Sequence, residues 1–203
     1  MEILKNDNLA LSWGKRSLAW DHLDDYIHST SRRIKEFGVK KGDRVLVDAV
    51  LSHETVIIIL SLWHAGVTVC PLDPNLLATV LEKIIPELGT PAIMIGPRKT
   101  AGRRCFSFND TICVEPVEHF FSASVHPSSL LPKEGMAVIL SPGTDGALTP
   151  EVLLYKEHPL QPQTARAYRQ ETLSPLHQAR GLDIIFQAYC DRSLMIIPGE
   201  PHV

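Results

Sequence analysis

A segment rich in Ser, Thr and Gly follows an apolar stretch and has the composition of an anion-binding loop. Residues 136–140 predict a buried strand, which leads directly into residues 141–150. Gly143 and Gly146 would let the backbone approach a ligand closely, and Thr144 adds a hydroxyl. Several backbone N–H groups that point at one anion make the type of site that binds phosphate.

Two residues of this loop oppose anion binding. Pro142 has no N–H to donate, and Asp145 places a carboxylate where an anion would lie. Two like charges in contact repel by on the order of 1 kcal/mol in water, and by several at a lower effective dielectric constant. The sequence therefore predicts a loop of phosphate-binding type in which binding is weakened.

The other reactive side chains lack the spacing of a known catalytic or metal site. The four cysteines form no CxxC pair, and none of the nine histidines has metal-ligand spacing to another. Asp24 and Asp25 point apart on a predicted helix, and neither Ser141 nor Ser174 lies in a nucleophile elbow. We therefore predict no catalytic residue and no metal ligand.

Predicted helices and strands alternate along the chain. Asp21 would cap a first helix that Gly38 ends. The predicted helices are residues 21–37, 52–65, 75–88, 163–170 and 181–189. The predicted strands are residues 44–50, 67–70 (ended by Pro71 and Pro74), 91–96, 136–140 and 193–197, with weaker candidates at 104–108 and 111–114 and either a strand or a helix start at 151–155. This alternation predicts an α/β fold with a mainly parallel sheet flanked by helices.

Composition limits the number of domains and the kinds of partner. The chain has 203 residues, 44% of them hydrophobic, and a net charge of −3, so nucleic-acid binding is not expected. A Ser/Pro-rich linker at residues 122–135 would separate a first α/β subdomain, 1–121, from a partial second one, 136–203. Residues 55–63 are too short an apolar run for a membrane span, and no secretory signal is recognisable, which favours a cytoplasmic location.

Two blocks of sequence resemble the adenylate-forming enzymes, the superfamily of AMP-dependent synthetases and ligases that includes acyl-CoA synthetases. The first combines residues 17–20, SLAW, with residues 38–45, GVKKGDRV. The second is residues 62–74, LWHAGVTVCPLDP, which is similar to the family pattern LxxAGxxxxPL[DN]P in order and spacing. Among subfamilies, the spacing is most similar to o-succinylbenzoate–CoA ligases of menaquinone synthesis. The resemblance implies the N-terminal subdomains of the family's large lobe.

Under this resemblance, residues 141–150 correspond to the family's ATP phosphate loop, [ST][SG]G[ST]TGxPKG. The corresponding positions in this chain, as a degenerate loop, are Ser141, Gly143, Thr144, Asp145, Gly146 and Thr149. Thr149 stands where the family has a Lys, so a charge-assisted bond to phosphate is missing. ATP and Mg²⁺ are therefore cofactors only by resemblance; alternatively, Asp145 could hold a Mg²⁺ that carries ATP.

Residues 175–182, PLHQARGL, resemble the family segment PL[FY]HxxG that borders the acyl pocket. The resemblance implies substrate-binding positions at His177, Gln178 and Gly181. Here His177 takes the aromatic position and Gln178 the usual His position, while Arg180 replaces a small residue.

The chain contains no YGxTE-like segment for adenine and Mg²⁺, and neither a ribose-binding Asp nor a C-terminal lobe with a catalytic Lys is recognisable. The expectation is a truncated acid–CoA ligase-like protein that cannot adenylate alone: a degenerate paralogue, a shortened product or one half of a split ligase. The alternatives are a non-catalytic module that forms a homo-oligomer or binds a partner chain, and a sensor that retains weak ligand binding.

Overall fold

The computed structural model describes residues 8–75, 91–96, 113–116, 137–142, 148–153 and 170–198. These residues form two sheets and three helices. Five of the eight strand pairings are parallel. The predicted α/β class with a mainly parallel sheet is therefore confirmed.

A four-stranded sheet joins the N-terminal part of the described chain to its C-terminal part. Its strands are β1 (Leu9–Trp13), β2 (Arg16–Ala19), β9 (Gln170–Thr172) and β10 (Leu194–Ile197), in the order β2-β1-β10-β9. At its centre β1 runs parallel to β10, with Leu11 opposite Met195. No strand was predicted for β1 and β2, because Gly14 at φ +55° closes a hairpin whose strands are too short to show periodicity.

A six-stranded sheet forms the other layer. Its strands are β3 (Arg44–Asp48), β4 (Thr68–Leu72), β5 (Pro91–Gly96), β6 (Cys113–Pro116), β7 (Ala137–Pro142) and β8 (Leu148–Leu153), in the order β6-β5-β3-β4-β7-β8. The four central strands are parallel, whereas β6 and β8 are antiparallel to their neighbours. Strands from both sides of residues 122–135 lie in each sheet.

Three helices pack on these sheets: α1 (Trp20–Glu36), α2 (His53–His64) and α3 (Ala179–Asp191). Asp21 was predicted to cap α1, but it lies in the first turn of the helix instead. The reason is that β2 continues into the helix without a break, and the Trp20 N–H donates to the Asn8 carbonyl at 2.9 Å. In α2, by contrast, Ser52 caps the helix by accepting from the Thr55 N–H at 3.2 Å.

Two predicted boundaries were wrong. Pro71 does not end its strand but lies in β4 opposite Val47, one residue before the strand ends at Leu72. Residues 141–142 and 148–150, which were predicted to belong to a loop, lie in strands instead, because Ser141 and Thr149 face each other in an antiparallel pair of β7 and β8. The predicted helices at residues 75–88 and 163–170 lie almost wholly outside the described residues, although Gln170 belongs to β9.

One apolar cluster contains residues from both sheets. Leu11 and Met195 of the first sheet belong to the same buried cluster as Val45 and Val69 of the second. Helix α2 is buried along its length, from Thr55 to Trp63. Within the described part of the chain, no helix combines the length and the hydropathy that crossing a bilayer requires.

Candidate functional site

Two of the sequence segments of interest, the LDP residues and the predicted phosphate loop, begin at the carboxyl ends of neighbouring parallel strands. Asp73 directly follows β4, and Ser141 lies near the end of the neighbouring strand β7. Val69 pairs with Ala137, and both Asp73 and Ser141 lie four residues further on. In parallel α/β sheets this edge is where ligands bind.

Asp73 connects this edge to the segment that precedes α3. Its Oδ1 atom accepts hydrogen bonds from the Asn75 backbone N–H at 2.9 Å and from the Asn75 side-chain amide at 3.1 Å. Its Oδ2 atom lies 3.7 Å from Nε2 of His177. Nδ1 of His177 is buried and has no hydrogen-bond partner among the described atoms. The structure therefore brings the LDP block and the PLHQ segment into contact.

The hydroxyls at the base of the predicted phosphate loop are already engaged within the protein. Ser141 Oγ donates to Glu151 Oε2 at 2.9 Å. Thr149 Oγ1 donates to the Ser141 carbonyl at 3.2 Å. Both contacts are exposed to solvent, so a ligand would have to compete with them. Gly143, Thr144, Asp145 and Gly146, the rest of the predicted loop, lie outside the described residues.

The other two predicted substrate residues have different surroundings. Gln178 is exposed at the N-terminus of α3, and its side chain makes no capping bond. Gly181 is buried, and a Cβ atom there would lie 2.3 Å from the Pro175 carbonyl oxygen and 2.9 Å from that of Ser174. Gly181 therefore packs against the backbone of residues 174–175. Arg180 is exposed.

Glu151 is a site residue that the sequence reasoning missed. The signal was available: in an antiparallel pair with Ser141 opposite Thr149, residues 149 and 151 share a face of the sheet. An expected loop at residues 141–150 concealed this alternation. Recognising the strand pairing would have placed the Glu151 carboxylate on the same face as the Ser141 hydroxyl.

His53 is a further residue that sequence analysis did not assign. It begins α2, directly beyond the carboxyl end of β3, and its ring stacks on Trp13 with centroids 4.1 Å apart. Nδ1 lies 3.0 Å from Glu54 Oε2. Burial lowers the pKa of His53, the Glu54 carboxylate opposes this effect and Arg16 adds to it. The stack joins β1 of the first sheet to α2.

Both described thiols are buried, and burial disfavours the thiolate, which is the nucleophilic form. Burial raises the pKa of Cys70 to about 12, and burial together with Asp191 raises that of Cys190. Among the residues that the structure describes, no group of three or more His, Cys, Asp and Glu side chains could hold a metal ion.

Comparisons with known proteins agree with this fold. The family model of the AMP-binding enzymes matches residues 4–127. The 2-succinylbenzoate–CoA ligase of Escherichia coli strain K12 is 23% identical over 155 residues, which are 76% of this chain and 32% of the relative. The ligase of the same name from Salmonella typhimurium strain LT2 is 33% identical over 79 residues, 39% of this chain and 17% of that protein.

Solved structures extend the likeness to nearly the whole chain. Wild-type E. coli MenE with a bound OSB-AMS analogue has a TM-score of 0.67 at 20% identity, covering 97% of this chain and 44% of that one. The N-terminal subdomain of Klebsiella oxytoca NpsA has a TM-score of 0.68 at 14% identity, covering 97% of this chain and 51% of that chain. The chain spans about a third or less of its curated relatives. The family match includes both blocks on which the resemblance rests, and the chain belongs to the AMP-binding enzyme family.

Proposed function

We propose that this chain is an acid–CoA ligase-like protein that binds ATP weakly and does not form an acyl adenylate by itself. Its family membership supports the ligase-like assignment. Its fold matches a region that makes up 44% of E. coli MenE. Adenylation depends on positioning ATP and neutralising its phosphates, so it requires a complete set of positioning groups.

The observation that carries the proposal is the engagement of Ser141 by Glu151. A hydroxyl that would face phosphate donates its hydrogen to a carboxylate 2.9 Å away. Thr149, at the position of the family's Lys, uses its own hydroxyl on the Ser141 carbonyl. A phosphate in this place would meet acceptors and a negative charge.

Charge along the hairpin acts in the same direction. Residues 137–153 include Asp145 and Glu151 but no Lys, Arg or His. Each carboxylate in contact with a phosphate costs on the order of 1 kcal/mol in water, and more where solvent is excluded. The donor set at the hairpin base does not fit a triphosphate.

The first acid to test is 2-succinylbenzoate, since that acid is named for both curated relatives. Calorimetric titration of the purified chain with ATP and Mg²⁺ should show no binding in the micromolar range. Pyrophosphate release from ATP should stay at background with the acid present. Micromolar Mg²⁺-dependent ATP binding, or pyrophosphate release by the chain without another subunit, would refute the proposal.

Introducing a Lys at position 149, where the family pattern has one, provides a stricter test. The double variant Thr149→Lys/Glu151→Gln removes one negative charge and adds one positive charge at the hairpin base. We expect it to bind ATP at least about 10-fold more tightly than the wild type, because charge-assisted bonds are about twice as strong as neutral ones. Thr172→Lys, at an exposed position in the other sheet, is the matched control and should leave the affinity unchanged.

The role of a partner remains a prediction. In this proposal a homo-oligomer, or a second ligase-family chain, would supply the positioning groups that the hairpin base does not offer. Sedimentation of the purified protein distinguishes these states from a monomer. Pyrophosphate release that appears only when a candidate second chain is added would favour the split-ligase form.

A further inference from the structure

Two histidines that lie 36 positions apart in the sequence meet on the outer surface of α1 and α2. His28 lies on α1 and His64 is the last residue of α2. Their ring centroids are 4.6 Å apart, and the rings are nearly perpendicular, at 83°. Both side chains are exposed, so an ion from solvent can reach them. Their separation along the chain is why the sequence showed no metal-ligand spacing.

We propose that His28 and His64 form a surface binding site for a divalent transition-metal ion of the Zn²⁺ or Ni²⁺ class. Imidazole nitrogen is a preferred ligand for these ions, whereas Mg²⁺ and Ca²⁺ prefer oxygen. Two nitrogens in one tetrahedral Zn²⁺ shell are roughly 3.4 Å apart, since each lies about 2.1 Å from the ion. Rings with centroids 4.6 Å apart can present nitrogens at that separation.

Ser31 prepares His64 for this role. Nδ1 of His64 lies 3.3 Å from Ser31 Oγ, within hydrogen-bonding distance. When Nδ1–H donates to that hydroxyl, the lone pair of the ring is on Nε2, which can then bind an ion. Metal-binding histidines commonly use their second nitrogen for such a hydrogen bond, which fixes the tautomer and the ring orientation. Ser31 is 2% exposed, so the surrounding packing holds its hydroxyl in place.

Two charged side chains act on His64 and would act on a bound cation. Lys35 repels the cation, which limits the affinity, whereas the Asp24 carboxylate attracts it. Asp24 is held by Arg192 at 3.0 Å, so water would occupy the other coordination positions.

Isothermal titration of the untagged full chain with NiCl₂ tests the site. The variants His28→Gln and His64→Gln should each lose about 10-fold or more in affinity, because one ligand alone loses the chelate advantage. The double variant should be little weaker than either single one. His22→Gln, which removes another exposed histidine of α1, is the matched control and should keep the wild-type affinity.

Two further readouts identify the ligands. Ni²⁺ should broaden the imidazole NMR signals of His28 and His64 before those of His22, and MgCl₂ at the same concentration should not. Ni²⁺ or Zn²⁺ should raise the melting temperature of the wild type by a few degrees, and that of His28→Gln by less. Equal nickel affinity in the wild type and the double variant, an equal loss in His22→Gln, or no nickel binding below millimolar concentration would overturn the proposal.

Discussion

Gly181 is the residue at which packing leaves no space for a side chain. A Cβ atom at this position would lie 2.3 Å from the Pro175 carbonyl oxygen, a backbone atom that cannot turn away. We expect Gly181→Ala to lower the free energy of unfolding by about 2 kcal/mol, the usual cost of overpacking. Urea unfolding measures this. Arg180→Ala, at the exposed position beside it, should change stability by less than about 0.5 kcal/mol; equal effects would contradict the packing argument.

The depressed pKa of His64 makes stability depend on pH. Because partial burial, His28 and Lys35 disfavour the charged ring, the unfolded chain takes up the proton at a higher pH than the folded chain does. This contribution to stability is complete above the ordinary pKa of 6.5 and is lost as the pH falls toward the lowered value. Between pH 7.5 and 5.5, the urea midpoint of the wild type should therefore fall more than that of His64→Gln.

The control for this effect is the pH range above the one in which His64 titrates. From pH 8.5 to 7.5 the two proteins should change in parallel, since His64 is neutral in both the folded and the unfolded chain. If His64→Gln loses as much stability as the wild type between pH 7.5 and 5.5, then His64 does not carry this share of the acid sensitivity.

Among the elements, α1 and α3 are joined by an ion pair between Asp24 and Arg192. The Arg192 guanidinium contacts both carboxylate oxygens, at 3.0 and 3.1 Å, and lies 4.5 Å from the centre of the Trp20 ring. Burial and the Asp24 carboxylate raise the pKa of Tyr189 to about 12, so its hydroxyl stays protonated and donates to Asp24 at 3.3 Å. The pair is thus one part of a small network.

A double-mutant cycle with Asp24→Asn and Arg192→Gln should give a coupling energy of about 1 kcal/mol, because two bonds and partial burial hold the pair in one geometry. Arg32 and Glu36 provide the matched control within α1. Their atoms are 3.9 Å apart, and the side chains are 77% and 66% exposed, so the same cycle should give nearly zero. A coupling as small for Asp24 and Arg192 would show that the network does not join the helices.

Elements with strong periodicity or clear end signals could be predicted from the sequence. Residues 91–96 were predicted as a strand and form β5 (Pro91–Gly96), and Ser52 and Gly66 bound α2 on either side. Residues 136–140 were predicted as a strand and form most of β7, but the facing ends of β7 and β8, at residues 141–142 and 148–150, were predicted as part of a loop because their Ser, Thr and Pro residues are typical of turns. Tertiary pairing decided that assignment.

The site, like the fold, could be predicted only where the signal is local in the sequence. The sequence indicated which blocks matter, but not which side chains meet there. The contacts of Ser141 with Glu151 and of Asp73 with His177 depend on strand register and on the packing of distant segments. A single sequence carries no direct signal for such contacts, as the approach of His28 to His64 also shows.

At the scale of the whole molecule, the first and last described strands, β1 and β10, pair and stabilise each other. Leu11 on β1 is fully buried and lies opposite Met195 of β10. Leu11→Ala should lower the free energy of unfolding by about 3 kcal/mol, as expected for a cavity in a core. Hydrogen exchange of the amides in residues 194–197 should accelerate as well. Leu18→Ala, at a half-buried position on edge strand β2, is the control and should have a smaller effect at those amides.

The parallel pairing of β1 with β10 has a consequence for the order of events during synthesis. The ribosome makes β1 well before β10, its parallel neighbour, which follows more than 180 positions later. Until then the apolar strand has one edge without its hydrogen-bonding partner, and closing so long a loop slows folding. A nascent chain arrested before residue 194 should therefore be the species most readily held by a chaperone.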